Sequence, residues 1–245
     1  MASSCPGGAC LKILAIESAT PASSVAVGDG GQLLAMALNV DRRGHVGFLT
    51  DAVDFCMRKA GLEPGDLDSI VVDVGPGTFT GIRAGIATAQ GVGAAVGVPV
   101  MAASALDALA FRAATGHRRI WPLIDARRGE FATASYRPVP GGVVKETLPE
   151  LLSPEALRAT LDSDPENSLV VGDWHSLPSE VLRGLHRVKT GRPRYPSADV
   201  LLELAAQRAE RSGVAPSAEV RPLYLRQPDT DINWKTFRTE GVWPQ

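Results

Sequence analysis

The 245-residue chain is short of the features that mark most specialised protein classes. Its three cysteines, Cys5, Cys10 and Cys56, include no CxxC pair, which argues against a disulfide framework or a thiolate zinc site. The histidines, His45, His117, His175 and His186, include no pair at i,i+4 spacing, so no two share a helix face as metal ligands. No apolar run approaches the ~20 residues of a membrane-spanning helix. The first residues, Met1 to Cys10, lack the basic and apolar regions of a secretory signal, and cytoplasmic residence is expected. A formal net charge of -2 gives no global attraction to nucleic acid. No GxSxG sequence and no Ser/His/Asp or Cys/His arrangement suggests peptidase chemistry. No catalytic residue and no metal ligand is assigned.

What is present is a packable α/β sequence, 44% hydrophobic and 21% charged. Leu11 to Glu17, Ser23 to Val27 and Gln32 to Asn39 read as strands joined by short turns, hence an antiparallel meander. Val46 to Ala60 reads as a helix with Leu49, Val53, Cys56 and Ala60 on one apolar line. Phe48 and Phe55 form a second line, with Ala52 between. That stripe is wider than one sheet face requires. Either the helix is buried deep in its own domain, or it meets a partner helix or chain. Ile70 to Val74 is a buried strand, Gly81 to Val96 a small-residue helix, Val98 to Ala102 a strand and Ala105 to Ala113 a helix.

The order β-β-β-α-β-α-β-α predicts the half-unit of the actin-like ATPase (ribonuclease-H-like, ASKHA) α/β fold, with two lobes of mixed sheet and flanking helices. The expected division is a leader at 1–10, a first lobe at 11–113, a smaller α/β lobe at 114–226 and a polar tail at 227–245. In the second lobe, Ile120 to Ala126 and Glu130 to Tyr136 read as a hairpin, Pro154 to Leu161 and Ala198 to Arg211 as helices, and Leu169 to Gly172 as a strand.

The stretch Gly75-Pro76-Gly77-Thr78-Phe79-Thr80-Gly81-Ile82-Arg83-Ala84-Gly85 turns the fourth strand into a helix. Unpaired backbone N–H groups at such a turn can cradle a phosphate. The same glycines can instead let a helix approach a sheet closely. Under the first reading, Glu17, Ser18, Gly75, Gly77, Thr78, Thr80, Gly81 and Arg83 face the phosphate. Under the second, Ser18 and Thr20 cap their own turn. Arg83 sits in the first helical turn, unfavourably placed against the helix dipole. It is expected to have an anionic partner: a phosphate, a carboxylate across an interface, or Asp73 or Glu17 within the domain. Arg118 and Arg119, Arg127 and Arg128, and Arg192 and Arg194 are candidate basic patches or solvated surface arginines.

Four landmarks carry a family resemblance. Ile13-Leu14-Ala15-Ile16-Glu17-Ser18-Ala19-Thr20 resembles the opening strand of the TsaB (YeaZ) family, and Gly75 to Arg83 resembles its signature turn. Ile124-Asp125-Ala126-Arg127-Arg128-Gly129-Glu130 is similar to its second-lobe hairpin, and Pro222-Leu223-Tyr224-Leu225-Arg226 to its C-terminal motif. The resemblance implies an accessory, dimerising subunit of the complex that forms N6-threonylcarbamoyladenosine beside the tRNA anticodon. Its implied partners are a TsaD-like catalytic subunit, a TsaE-like ATPase, a second copy when alone, and tRNA through the complex. No membrane is implied. No intrinsic cofactor is implied; ATP or ADP belongs to the boundary with the catalytic subunit. The catalytic paralogue holds a metal on two histidines at i,i+4, where this chain has His45 and Leu49. Family members often carry Asp at Glu17, a position that faces the Mg²⁺–phosphate cleft in nucleotide-binding relatives. The resemblance makes the two wide-stripe helices a docking face, with Phe48, Ala52, Phe55, Gly85 and Thr88 as its candidate residues. The alternative is an independent ATP-dependent small-molecule kinase of the same superfamily.

Overall fold

The structure, a computed structural model, describes residues 11–41, 45–213 and 220–226, with His45, Val46 and Ser212 described in backbone only. The expected leader and tail, Arg42 to Gly44 and the His45 side chain lie outside the described residues.

The central strands are buried on both faces, which is why they read as continuous apolar runs. In β1 (Lys12–Glu17), Leu14 and Ile16 join one core while Ile13 and Ala15 join another. β2 (Ala22–Asp29) and β3 (Gln32–Val40) complete the antiparallel meander. A helix, α1 (His45–Ala60), leads to β4 (Ser69–Asp73), which pairs parallel with β1. Helix α2 (Phe79–Val96) then crosses to β5 (Val100–Ala103), parallel to β4. The sheet order is β3-β2-β1-β4-β5. On one face, α1 lies over β2 and β3, and α2 lies over β4, β1 and β5. Helix α3 (Ala105–Ala113) leads into the second sheet.

That sheet contains β6 (Arg119–Asp125), β7 (Phe131–Thr133), the hairpin β8 (Tyr136–Val139) and β9 (Gly142–Lys145), and β10 (Glu150–Leu152). Helix α4 (Pro154–Ser163), β11 (Ser168–Gly172), β12 (Val188–Thr190) and α5 (Ala198–Ser212) follow. Its main order is β10-β7-β6-β11-β12. β7 is antiparallel to β6 and to β10, and β11 is parallel to β6 and β12. Order and strand directions therefore repeat those of the first sheet. The repeat is incomplete: where the first sheet has α2, the second has a short 3-10 turn, Asp173–Ser176.

Three details differ from the sequence reading. The single strand expected at Glu130 to Tyr136 is two. β7 ends at Thr133, and β8 begins at Tyr136 after Ser135 turns to receive the Glu146 amide. The glycine-rich helix starts at Phe79, two residues earlier than Gly81. Helix α5, placed by chain position among the second-lobe elements, covers the free face of the first sheet. Its Leu201, Leu202 and Ala205 join the core of Ile13, Ala15, Ala26 and Val71, and the Ala198 amide donates to Ser24 Oγ at 2.9 Å.

Candidate functional site

The glycine-rich turn meets the β1–β2 turn rather than open solvent. The Thr78 amide donates to the Ala19 carbonyl at 2.6 Å, and Ser18 Oγ donates to the Gly81 carbonyl at 2.9 Å. A Cβ at Gly77 would sit 2.0 Å from the Ala19 oxygen, and one at Gly81 would sit 2.0 Å from the Ser18 oxygen. At Gly85 it would lie 2.5 Å from Ser18 Oγ. Gly75 has φ +100° and lies against Ile82. These glycines bring α2 down onto the first sheet, and the β1–β2 turn takes the Thr78 amide. Ser18 is buried, Thr78 is half-buried and Thr80 is exposed. Around the turn, Thr20 Oγ1 and Thr78 Oγ1 are buried without a hydrogen-bond partner.

Glu17 and Asp73 end adjacent parallel strands, where Ile16 pairs with Val72. Both carboxyl groups are buried. Glu17 Oε1 accepts the Ala19 amide at 2.9 Å, and Asp73 Oδ1 accepts the Gly75 amide at 2.7 Å; the second oxygen of each has no hydrogen-bond partner. Burial, and then the neighbouring Asp73 charge, raise the Glu17 pKa well above the usual carboxylate range. Burial likewise raises that of Asp73. A carboxyl with a raised folded-state pKa binds its proton more tightly folded than unfolded. Its stabilising contribution is complete below the unfolded value, ~4.3 for Glu, and is lost as pH climbs toward the folded value. Glu17→Gln removes one of the titrating groups and is expected to flatten the loss of stability above about pH 5, with its advantage over the wild type growing with pH. Urea unfolding across that range measures it; parallel profiles would mean that Glu17 stays ionised in the fold.

Arg83 pairs with neither Glu17 nor Asp73. It lies on the exposed side of α2, where its guanidinium stacks 3.6 Å from the Phe79 ring centre and its Nε donates to Tyr224 Oη at 2.9 Å. Phe79 and Tyr224 stack at 5.5 Å. Phe79 was not singled out in the sequence, and Tyr224 is its partner from the C-terminal motif. The motif forms a strap: the Leu223 amide donates to the Val74 carbonyl at 2.8 Å, and Arg226 is ion-paired with Glu130 in the β6–β7 turn.

Between the β1–β2 turn and the second sheet, the cleft encloses only about 30 Å³, lined by Thr20, Thr78, Asp125, Arg127, Asp173 and Arg194 among others. Small-molecule sites start near 300 Å³. Asp173 Oδ2 accepts the Asp125 amide, and burial raises the Asp173 pKa. Among the other arginines, Arg119 is held by Asp164, Glu146 and Glu166 at 2.7–3.0 Å, so it serves the fold. Among the described residues no group of three or more His, Cys, Asp or Glu is arranged to hold a metal, and no helix is long and apolar enough to cross a membrane.

The helix face divides the five candidate docking residues. Ala52 is buried in the core and Gly85 is pressed against Ser18, so neither reaches the surface. A groove of about 870 Å³ runs between α1 and α2, lined by Thr50, Val53, Met57, Ala87, Thr88 and Gly91 among others. Thr88 alone of the five lies in it. At 3.6 residues per turn, Phe48 and Phe55 fall on the flank of α1 turned away from that groove. Cys56 is fully buried, and burial pushes its thiol up to about 11.

Two sheets of one strand order, linked by α3 and facing across a cleft, define a protein of the actin-like ATPase (ribonuclease-H-like) fold. The matching family model is described as TsaD, tRNA N6-adenosine threonylcarbamoyltransferase, and covers residues 36–158. The chain is 28% identical over 229 residues to the tRNA threonylcarbamoyladenosine biosynthesis protein TsaB of Escherichia coli (strain K12), covering 92% of this chain and 97% of that one. It is 34% identical over 222 residues to an uncharacterized protein of Mycobacterium tuberculosis (strain ATCC 25618 / H37Rv), covering 89% and 92%. The solved structure of YeaZ from Pseudomonas aeruginosa superposes with a TM-score of 0.75 at 28% identity, over 88% of this chain and 100% of that one. The chain belongs to the TsaB (YeaZ) family.

Proposed function

We propose that this chain is the accessory subunit of a tRNA threonylcarbamoyladenosine-forming complex, pairing through the α1/α2 groove with a TsaD-like catalytic subunit. The observation that carries the reading is likeness to proteins named TsaB over nine-tenths of the chain. The site supports it from the other side. The glycines of the α2 turn are pressed against the chain's own β1–β2 turn. Leu49, at the second position of the paralogue's histidine pair, is fully buried in the core. A TsaE-like ATPase and tRNA join through the complex, and ATP or ADP is engaged at the boundary with the catalytic subunit. In its absence, two copies pair through the same groove.

Nucleoside mass spectrometry of tRNA from a reconstituted reaction tests this. With threonylcarbamoyl-adenylate supplied, modification is expected when this chain, the catalytic subunit and the ATPase are all present, and lost when this chain is omitted. Modification without it would end the accessory reading. ATP turnover by the isolated chain would favour the kinase alternative.

A further inference from the structure

The two edges of the first sheet are built differently. β5 is four residues long, and Arg208 donates to its Ala102 carbonyl at 2.7 Å. β3 is nine residues long and carries no charged residue and no proline, the usual guards of a free edge. Leu33, Leu34, Leu38 and Val40 are 44–56% exposed along it. Layers on both faces hold this edge: Ala35 and Ala37 pack in the α1 core, and Met36 packs in the α5 core. One guard is present, an irregularity that leaves Leu34 out of the β2 ladder, and it sits toward the start of the strand.

Two further observations say what fits there. Leu34-Ala35-Met36-Ala37-Leu38 reads the same in both directions. An antiparallel copy related by a twofold axis at Met36 would set Leu34 against Leu38, Ala35 against Ala37, and Met36 against itself. Such self-complementarity is what an isologous interface requires. The outward flank of α1 over this edge carries half-buried Phe48 and exposed Phe55, the latter flanked by Lys59. Alternation puts Leu38, which pairs with Ser24, on the α5 face, and Phe55 over the Ala35 and Ala37 face, so apolar side chains flank the edge on both faces of the sheet.

We propose that β3 pairs with β3 of a second copy of this chain, joining two five-stranded sheets edge to edge, with Phe55 of each copy packed across the axis. This contact is separate from the α1/α2 groove and does not depend on the function proposed above. A single strand pair is small beside the ~1,600 Å² of a standard interface, so the dimer forms with rising concentration.

The test uses the full chain with Ala87→Arg, which blocks the groove. Sedimentation equilibrium over roughly 5–500 µM is expected to show a dimer. Adding Leu38→Lys or Phe55→Asp is expected to weaken it at least about tenfold, because each replaces an apolar side chain of the contact with a charged one. Both side chains are largely exposed in the monomer, and Leu34→Lys at the other end of the register is expected to act the same way. Hydrogen exchange should show β3 amides gaining protection with concentration in Ala87→Arg alone. A monomer at every concentration, or a dimer that none of the three variants weakens and that leaves β3 unprotected, would overturn the proposal.

Discussion

Gly81→Ala is expected to destabilise the chain by about 3 kcal/mol or more, although alanine is the better helix former. Propensity alone would give a gain of about 1 kcal/mol. The added methyl would lie 2.0 Å from the Ser18 carbonyl oxygen, a backbone atom that cannot move without lifting the β1–β2 turn off α2. Gly77→Ala meets the Ala19 carbonyl at the same distance and is expected to cost as much. Gly91→Ala supplies the internal control. It lies in the same helix, exposed and with nothing within 4 Å of its Cβ position, and should gain up to about 1 kcal/mol. Urea unfolding of the three variants measures the contrast. Equal effects at positions 81 and 91 would mean that the close approach of turn and helix does not exist.

Ala87→Arg is expected to weaken pairing with the catalytic subunit by about thirtyfold or more while leaving the thermal midpoint of the isolated chain unchanged. Ala87 is exposed on the wall of the α1/α2 groove, so a long cation there fills the space a partner helix would take without entering this chain's core. Calorimetry with the purified catalytic subunit measures the affinity. Modification should fall in parallel at low concentrations and recover when the partner is in large excess. Unchanged affinity would remove the groove as the docking surface. Phe48→Asp would be a poor substitute, because Phe48 packs against the core of its own domain and its loss would be felt in folding.

The first sheet was legible because its strands sit between helical layers and therefore run apolar without interruption, as Ile13 to Ile16 and Ile70 to Val72 do. The strands β9, β10 and β12 were not, because three or four residues with half-buried or exposed side chains hold too little periodicity to separate from loop. The place of α5 was hidden for another reason: chain order does not say which sheet a helix returns to. The glycines of the turn were visible, but a phosphate cradle and a close helix contact demand the same residues. The close helix contact shows only in the positions of the Ser18 and Ala19 carbonyls, which no local pattern gives. Arg83 could be marked as needing a partner, whereas Tyr224 lies 141 residues away and no local pattern links the two. The double apolar line of α1 was equally plain in sequence, but which flank faces α2 is not a local property, and Phe55 lies outside the α1/α2 groove.

The strap over the cleft has a mechanical consequence. Leu223 is tied to the end of β4, Tyr224 to the first turn of α2 and Arg226 to the β6–β7 turn, so one short segment bolts the two halves together on the side where they would part. Jaws that swing on a nucleotide need a free mouth. Here any swing about α3 must first break the Leu223, Tyr224 and Arg226 contacts, so the strap opposes relative motion of the two halves.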